Sequence, residues 1–153
     1  MNQETSKKWI LAIDPGSDKA GFAVVYEDMS HGEMGVCFIS ELHRVFKRLC
    51  SNESPPEAVV MGNGTAAAVI CRLYNSLELA PPLRFAEEKN TTWKARGRYF
   101  VENPPRGLWR LVPIGLQVPP RPIDDYAAWL IGEAYLKDLA IGNKPKPLTT
   151  PDD

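Results

Sequence analysis

Residues 10–25, ILAIDPGSDKAGFAVV, set an apolar run against a lone aspartate, then Pro-Gly and a polar stretch, then a second apolar run. The run WILAI (9–13) is continuously apolar and reads as a strand covered on both faces. Asp14 then stands at that strand's carboxyl end. In open α/β sheets this is the edge outside which ligands bind. A chain that starts this way is committed to a sheet with a buried central strand and a carboxylate at its mouth.

The remaining pattern completes such a sheet. GFAVVYE (21–27) and MGVCFI (34–39) read as further strands, with HGE (31–33) as the hairpin turn between them. ELHRVFKRLC (41–50) places Leu42, Val45, Phe46 and Leu49 on one helical face. AVVM (58–61) is a fourth strand, broken by Gly62-Asn63-Gly64-Thr65, and AAAVICRLYNSLEL is helical. PPLRFA (81–86) is a short fifth strand, and a helix runs through WKARGRYF. Residues 103–122 hold six prolines and predict a loop with little regular structure. IDDYAAWLIGEAYLKDLAI is the last helix, stopped by Gly142.

The first three strands are linked as hairpins and the last two enter through crossover helices. The expected fold is therefore α/β: a mixed five-stranded sheet, three antiparallel strands then two parallel, with helices on both faces. The expected organisation is a polar lead-in over 1–8, one domain over 9–142 and a flexible tail over 143–153.

Composition closes off several classes. The 153 residues suffice for one domain with a real core, and the net charge of −1 gives no whole-chain bias toward nucleic acid or membrane. No apolar run approaches the ~20 residues of a membrane span, and no signal peptide is expected behind MNQETSKK. Cys37, Cys50 and Cys71 are far apart and odd in number, against a disulfide framework or a zinc site. They read as reduced packing residues of a cytoplasmic protein.

Three acidic positions share one expected edge. Asp14 ends the first strand, Glu87 and Glu88 follow the fifth, and Asp124 and Asp125 open the last helix. Each alone has an ordinary reading as a turn, a solvated loop or an N-cap. Together they predict a carboxylate cluster, whose repulsion a hard divalent cation with oxygen ligands would relieve. Two such ions about 3.5–4 Å apart stabilise the attacking and leaving oxygens in phosphodiester cleavage.

Three segments in order carry a resemblance: IDPGSDKAGFAVV, AEEKNTTWKAR and IDDYAAWLIGEAYL, with NGT at 63–65 between the first two. They resemble the YqgF (RuvX) family of Holliday-junction-resolvase-like nucleases in the RNase H-like superfamily, with kinship to RuvC resolvases. The resemblance implies an RNase H-like fold and a metal-dependent endonuclease, using one or two Mg²⁺ or Mn²⁺ ions on branched DNA or a ribosomal RNA precursor. It implies Asp14, Glu88 and Asp124 as catalytic metal ligands, with Glu87 in the place of a family aspartate and Asp125 beside them. Lys89 replaces the family's arginine, and Met61-Gly62 stand where RuvC-type resolvases carry a glutamate. Symmetric cutting of a four-way junction needs two active sites, which leaves a homodimer open.

Residues 84–121 carry eight basic side chains against three acidic ones. Such a cluster beside an acidic site fits phosphate-backbone binding. Lys94, Arg98 and Arg110 are the expected phosphate contacts, with Lys19 and Lys89 near the carboxylates, and Trp93 and Trp109 as stacking candidates. Trp9 and Trp129 read as core, and His31 and His43 as surface residues. A non-catalytic nucleic-acid-binding module with a degenerate site is the alternative. A sugar-kinase or actin-like ATPase, which shares the Asp-x-Gly hairpin start, needs two such domains and more chain than this.

Overall fold

The computed structural model of the chain describes residues 7–86, 91–113, 117, 119 and 122–142, with the side chains of 91–93 excepted. Its strands are β1 (Trp9–Pro15), β2 (Lys19–Tyr26), β3 (His31–Phe38), β4 (Val59–Met61) and β5 (Leu83–Phe85). Its helices are α1 (Leu42–Cys50), α2 (Ala67–Ser76), α3 (Thr91–Glu102) and α4 (Asp124–Ala140). The sheet order is β3-β2-β1-β4-β5. β1, β2 and β3 pair antiparallel, while β4 and β5 run parallel to β1. This is the mixed sheet expected from the hairpin and crossover pattern.

Strand alternation sorts side chains onto two faces. Leu11, Ile13, Phe22, Val24, Val59 and Met61 form one core with α1 and α2. Ile10, Ala12, Ala23, Val25 and Val60 form a second with Ala128, Ile131 and Tyr135 of α4. The four apolar positions foreseen on α1 are all buried, together with Cys50. α3 packs on α4, where Ala95, Tyr99 and Phe100 meet Tyr126, Ala127 and Leu130. Among the described residues, no helix is long and apolar enough to cross a membrane.

The hairpin between β2 and β3 differs from expectation. The turn lies at 27–30, and HGE belongs to β3. Met29 takes φ 72°, and the Asp28 carboxylate accepts the Ser30 backbone N–H at 3.0 Å. An Asp side chain that folds back on its own backbone makes a turn as well as glycine does. Gly32 serves packing instead, since a Cβ there would press on the Tyr26 ring and Val24.

The proline-rich stretch also holds more order than expected. Gly107–Leu111 form a 3-10 helix. The buried Gln117 side chain donates to the carbonyls of Trp109 at 2.9 Å and Val112 at 2.7 Å. The three cysteines are free thiols, buried at Cys50 and Cys71 and half-buried at Cys37. Burial pushes the Cys50 thiol up to about 11.

Candidate active site

Asp14 falls on the α4 face of β1, two positions beyond Ala12 in the alternation. Its cross-strand partner is Gly21. The first turn of α4 lies directly on that glycine, because a Cβ at Gly21 would collide with the Asp124 carbonyl and the Asp125 amide nitrogen. The bare backbone at Gly21 thus serves the seat of a helix. Small residues continue the contact, since Gly132 of α4 leaves no room for a Cβ against Ala12 and Val25. The central alanine and glycine of AAWLIGEAYL let α4 lie low across β1 and β2 and bring its start to the carboxyl end of β1.

The result is a carboxylate pair. Burial, and then the charge of Asp124, raise the Asp14 carboxyl from 3.8 to about 6. Asp124 is also raised, by burial and by the adjacent Asp125, while Lys19 pulls it back down. Lys19 begins β2 and holds its ammonium 5.2 Å over the Phe38 ring. Desolvation and like charge both disfavour ionised carboxylates, and here they act together at one sheet edge. Asp125 is 4% exposed and accepts the Tyr126 backbone N–H at 3.0 Å. It borders a cleft lined by Lys19, Pro122 and residues 34–38 of β3.

Glu87, Glu88 and Lys89 lie outside the described residues, as does the side chain of Trp93. β5 brings the chain to the same edge, with the Ala86 amide donating to the Met61 carbonyl at 3.0 Å. Among the described residues, no three His, Cys, Asp or Glu side chains are grouped to hold a metal. At the end of β4, Met61 is fully buried on the opposite face, and a Cβ at Gly62 would come within 2.5 Å of Ile131.

The basic residues divide. Lys94 and Arg110 are exposed. Arg98 instead forms a two-pronged ion pair with Glu133, which is 7% exposed, and stacks 4.5 Å over the Trp129 ring. Lys137 joins Glu133 at 2.9 Å. Arg98 is thus committed to the α3–α4 contact, a role the basic cluster did not reveal. Glu133, an acid within an otherwise apolar helical stretch, was the available signal for it. His31, expected as a surface residue, is half-buried. Its ring meets Trp129 edge-on at 4.5 Å and bonds Glu102 at 3.0 Å. Glu102 also accepts the Tyr126 hydroxyl at 2.6 Å, and the Trp129 indole donates to the Met29 carbonyl at 2.9 Å. This layer ties the β2–β3 turn to both helices.

No protein-family model matches the sequence, and no curated protein matches it. Among solved structures the chain is similar to T. thermophilus RuvC in complex with Holliday junction substrate. The TM-score is 0.58 at 20% identity, over 92% of this chain and 99% of that one. The fold is RuvC-like. A second Thermus thermophilus RuvC structure matches with a TM-score of 0.55 at 18% identity over the same shares. In this RuvC-like fold, Asp14 and Asp124 come from opposite ends of the chain to one edge of the sheet.

Proposed function

We infer that this chain is a divalent-metal-dependent endonuclease of the RuvC and YqgF type, cleaving phosphodiester bonds in structured nucleic acid. Its substrate class is a four-way DNA junction or a folded ribosomal RNA precursor. The observation that carries this reading is the Asp14–Asp124 pair: two partly buried carboxylates, each raised, on a RuvC-like fold. A pair so arranged is unfavourable when ionised and becomes favourable around a hard cation with oxygen ligands.

Asp14 and Asp124 would hold one or two Mg²⁺ or Mn²⁺ ions, with Glu88 as the third ligand and Glu87 and Asp125 beside them. Bound there, the metal would polarise water and neutralise charge on the phosphate. The chain's own contribution is placement. Asp14 is fixed by the central strand, Asp124 by the seat of α4 on Gly21, and Lys19 adds a cation beside them. Lys94 and Arg110 are the proposed backbone contacts, with Lys89 and Trp93 proposed on sequence alone.

The test is cleavage of labelled four-way junction, flap, single strand and structured RNA in Mg²⁺ or Mn²⁺, wild type beside Asp14→Asn. Loss of cleavage in the variant supports the mechanism. Full cleavage by Asp14→Asn sinks it.

One observation favours a second reading, a binding module without catalysis. The end of β4 offers no acid to the site: Met61 is buried in the opposite core, and Gly62 has no side chain where Ile131 packs. Salt-sensitive binding that survives EDTA, with no cleavage of any of the four substrates, would decide for it.

A further inference from the structure

The 3-10 helix Gly107–Leu111 presents Leu108, Trp109 and Leu111 at 84%, 65% and 82% exposure. Large apolar side chains this open on an ordered element mark an interaction surface. The element is built to hold them, since Gln117 is 5% exposed and both its described bonds pin this turn, at Trp109 and Val112. Beside it is a groove of about 420 Å³ lined by Pro104, Pro105, Arg106, Arg110 and Val112.

Charge decides the occupant. From 103 to 122 the sequence has three arginines and no acid. Glu102, the acid just before this stretch in the sequence, is already bonded to His31 and Tyr126. An exposed indole on the same short helix as Arg110, with Arg106 at its N-cap, beside a groove that both arginines line with Pro104 and Pro105, matches an unpaired base and its phosphates. Bases stack on aromatic side chains with little sequence preference, and arginine adds cation–π and phosphate contacts. The platform is also tethered to the start of α4 by a short length of chain. Six residues lie between Gln117 and Asp124, so at most about 25 Å of chain joins them.

We propose that Trp109, with Arg106 and Arg110, is a stacking platform for unpaired nucleotides of the nucleic acid whose cleavage is proposed above. It rests on that reading for its substrate but is tested without catalysis. In EDTA, the affinities of the full chain for a fluorescein-labelled four-way junction with a single-stranded tail and for a fully paired junction are compared. In wild type the tailed probe binds more tightly. In Trp109→Ala the ratio of the two affinities falls roughly tenfold, from the loss of one stacked base. Trp109→Tyr keeps most of it.

A ratio unchanged in Trp109→Ala, with the variant's circular dichroism intact, overturns the proposal and leaves the patch to a protein partner. So does a wild type that binds neither probe. If wild type cleaves nothing while the Trp109-dependent ratio persists, the nuclease reading fails and the platform stands.

Discussion

The carbonyl of Asp124 occupies the space in which a side chain on Gly21 would begin. Gly21 is in turn the cross-strand partner of Asp14. One missing methyl group thus sets the distance between the two carboxylates. Gly21→Ala is expected to lift the start of α4, destabilise the fold by roughly 1–3 kcal/mol and abolish any cleavage that needs both acids. Urea unfolding and junction cleavage, measured side by side, check this. Near wild-type cleavage would show that the helix seat does not control the site.

Asp14 sets a pH signature. Its carboxyl is at about 6 in the folded protein against an ordinary 3.8. Between those values the folded chain keeps a proton that the unfolded chain has released. Stability without metal therefore falls as pH rises through this window, and the deficit is complete above it. One pKa unit is worth about 1.4 kcal/mol, so the deficit is at most ~3 kcal/mol. Asp14→Asn is expected to melt higher than wild type at pH 7.5 in EDTA and level with it near pH 4. Mn²⁺ should raise the melting temperature of wild type and leave the variant unmoved, since a ligand stabilises only the state that binds it.

Arg98 should act on stability more than on affinity. Its removal leaves Glu133, nearly buried, with Lys137 as its remaining described partner. Breaking a buried pair from one side costs about 3–5 kcal/mol, and the surviving Lys137 contact moves the expectation to the lower end. The Arg98 bond, ahead of that of Lys137, holds the Glu133 carboxyl below its usual range. That stabilisation is present above the ordinary glutamate range and is lost as pH falls through the depressed value. Arg98→Ala with Glu133→Gln in a double-mutant cycle would measure the coupling. Equal stability of Arg98→Ala and wild type would return Arg98 to the list of phosphate contacts.

The thiols should be silent. Burial raises Cys37, Cys50 and Cys71, and Glu41 adds to the shift at Cys37. Thiolate is the reactive form, so these groups should react slowly with alkylating reagents at pH 7.5. Cys37→Ser is expected to keep full activity. Its loss, with folding intact, would point to a role for sulfur.

The sheet was legible because its signals are local. Apolar runs, their breaks and the length of the crossovers gave five strands in two senses. The meeting of Asp14 and Asp124 was legible too, since a strand end and a helix start on one edge follow from that topology. What escaped depends on pairs distant in sequence. Gly21 has no local mark of lying beneath α4. Arg98 and Glu133 lie 35 residues apart, and nothing in the basic cluster singled out the arginine with a buried partner. The hairpin turn escaped for another reason: glycine in HGE suggested it, and the Asp28 side chain formed it three residues earlier.

β1 has a hydrogen-bonded neighbour on each side, β2 and β4. Central strands give up their amide protons only when the whole molecule opens. The amides of Leu11, Ala12 and Ile13 should therefore be among the last to exchange with solvent, and Asp14, one residue on and paired with Gly21, follows directly from the least yielding part of the chain. Backbone adjustment on binding is therefore expected on the approach side, in the first turn of α4, and at Asp14 only the side chain is left to turn.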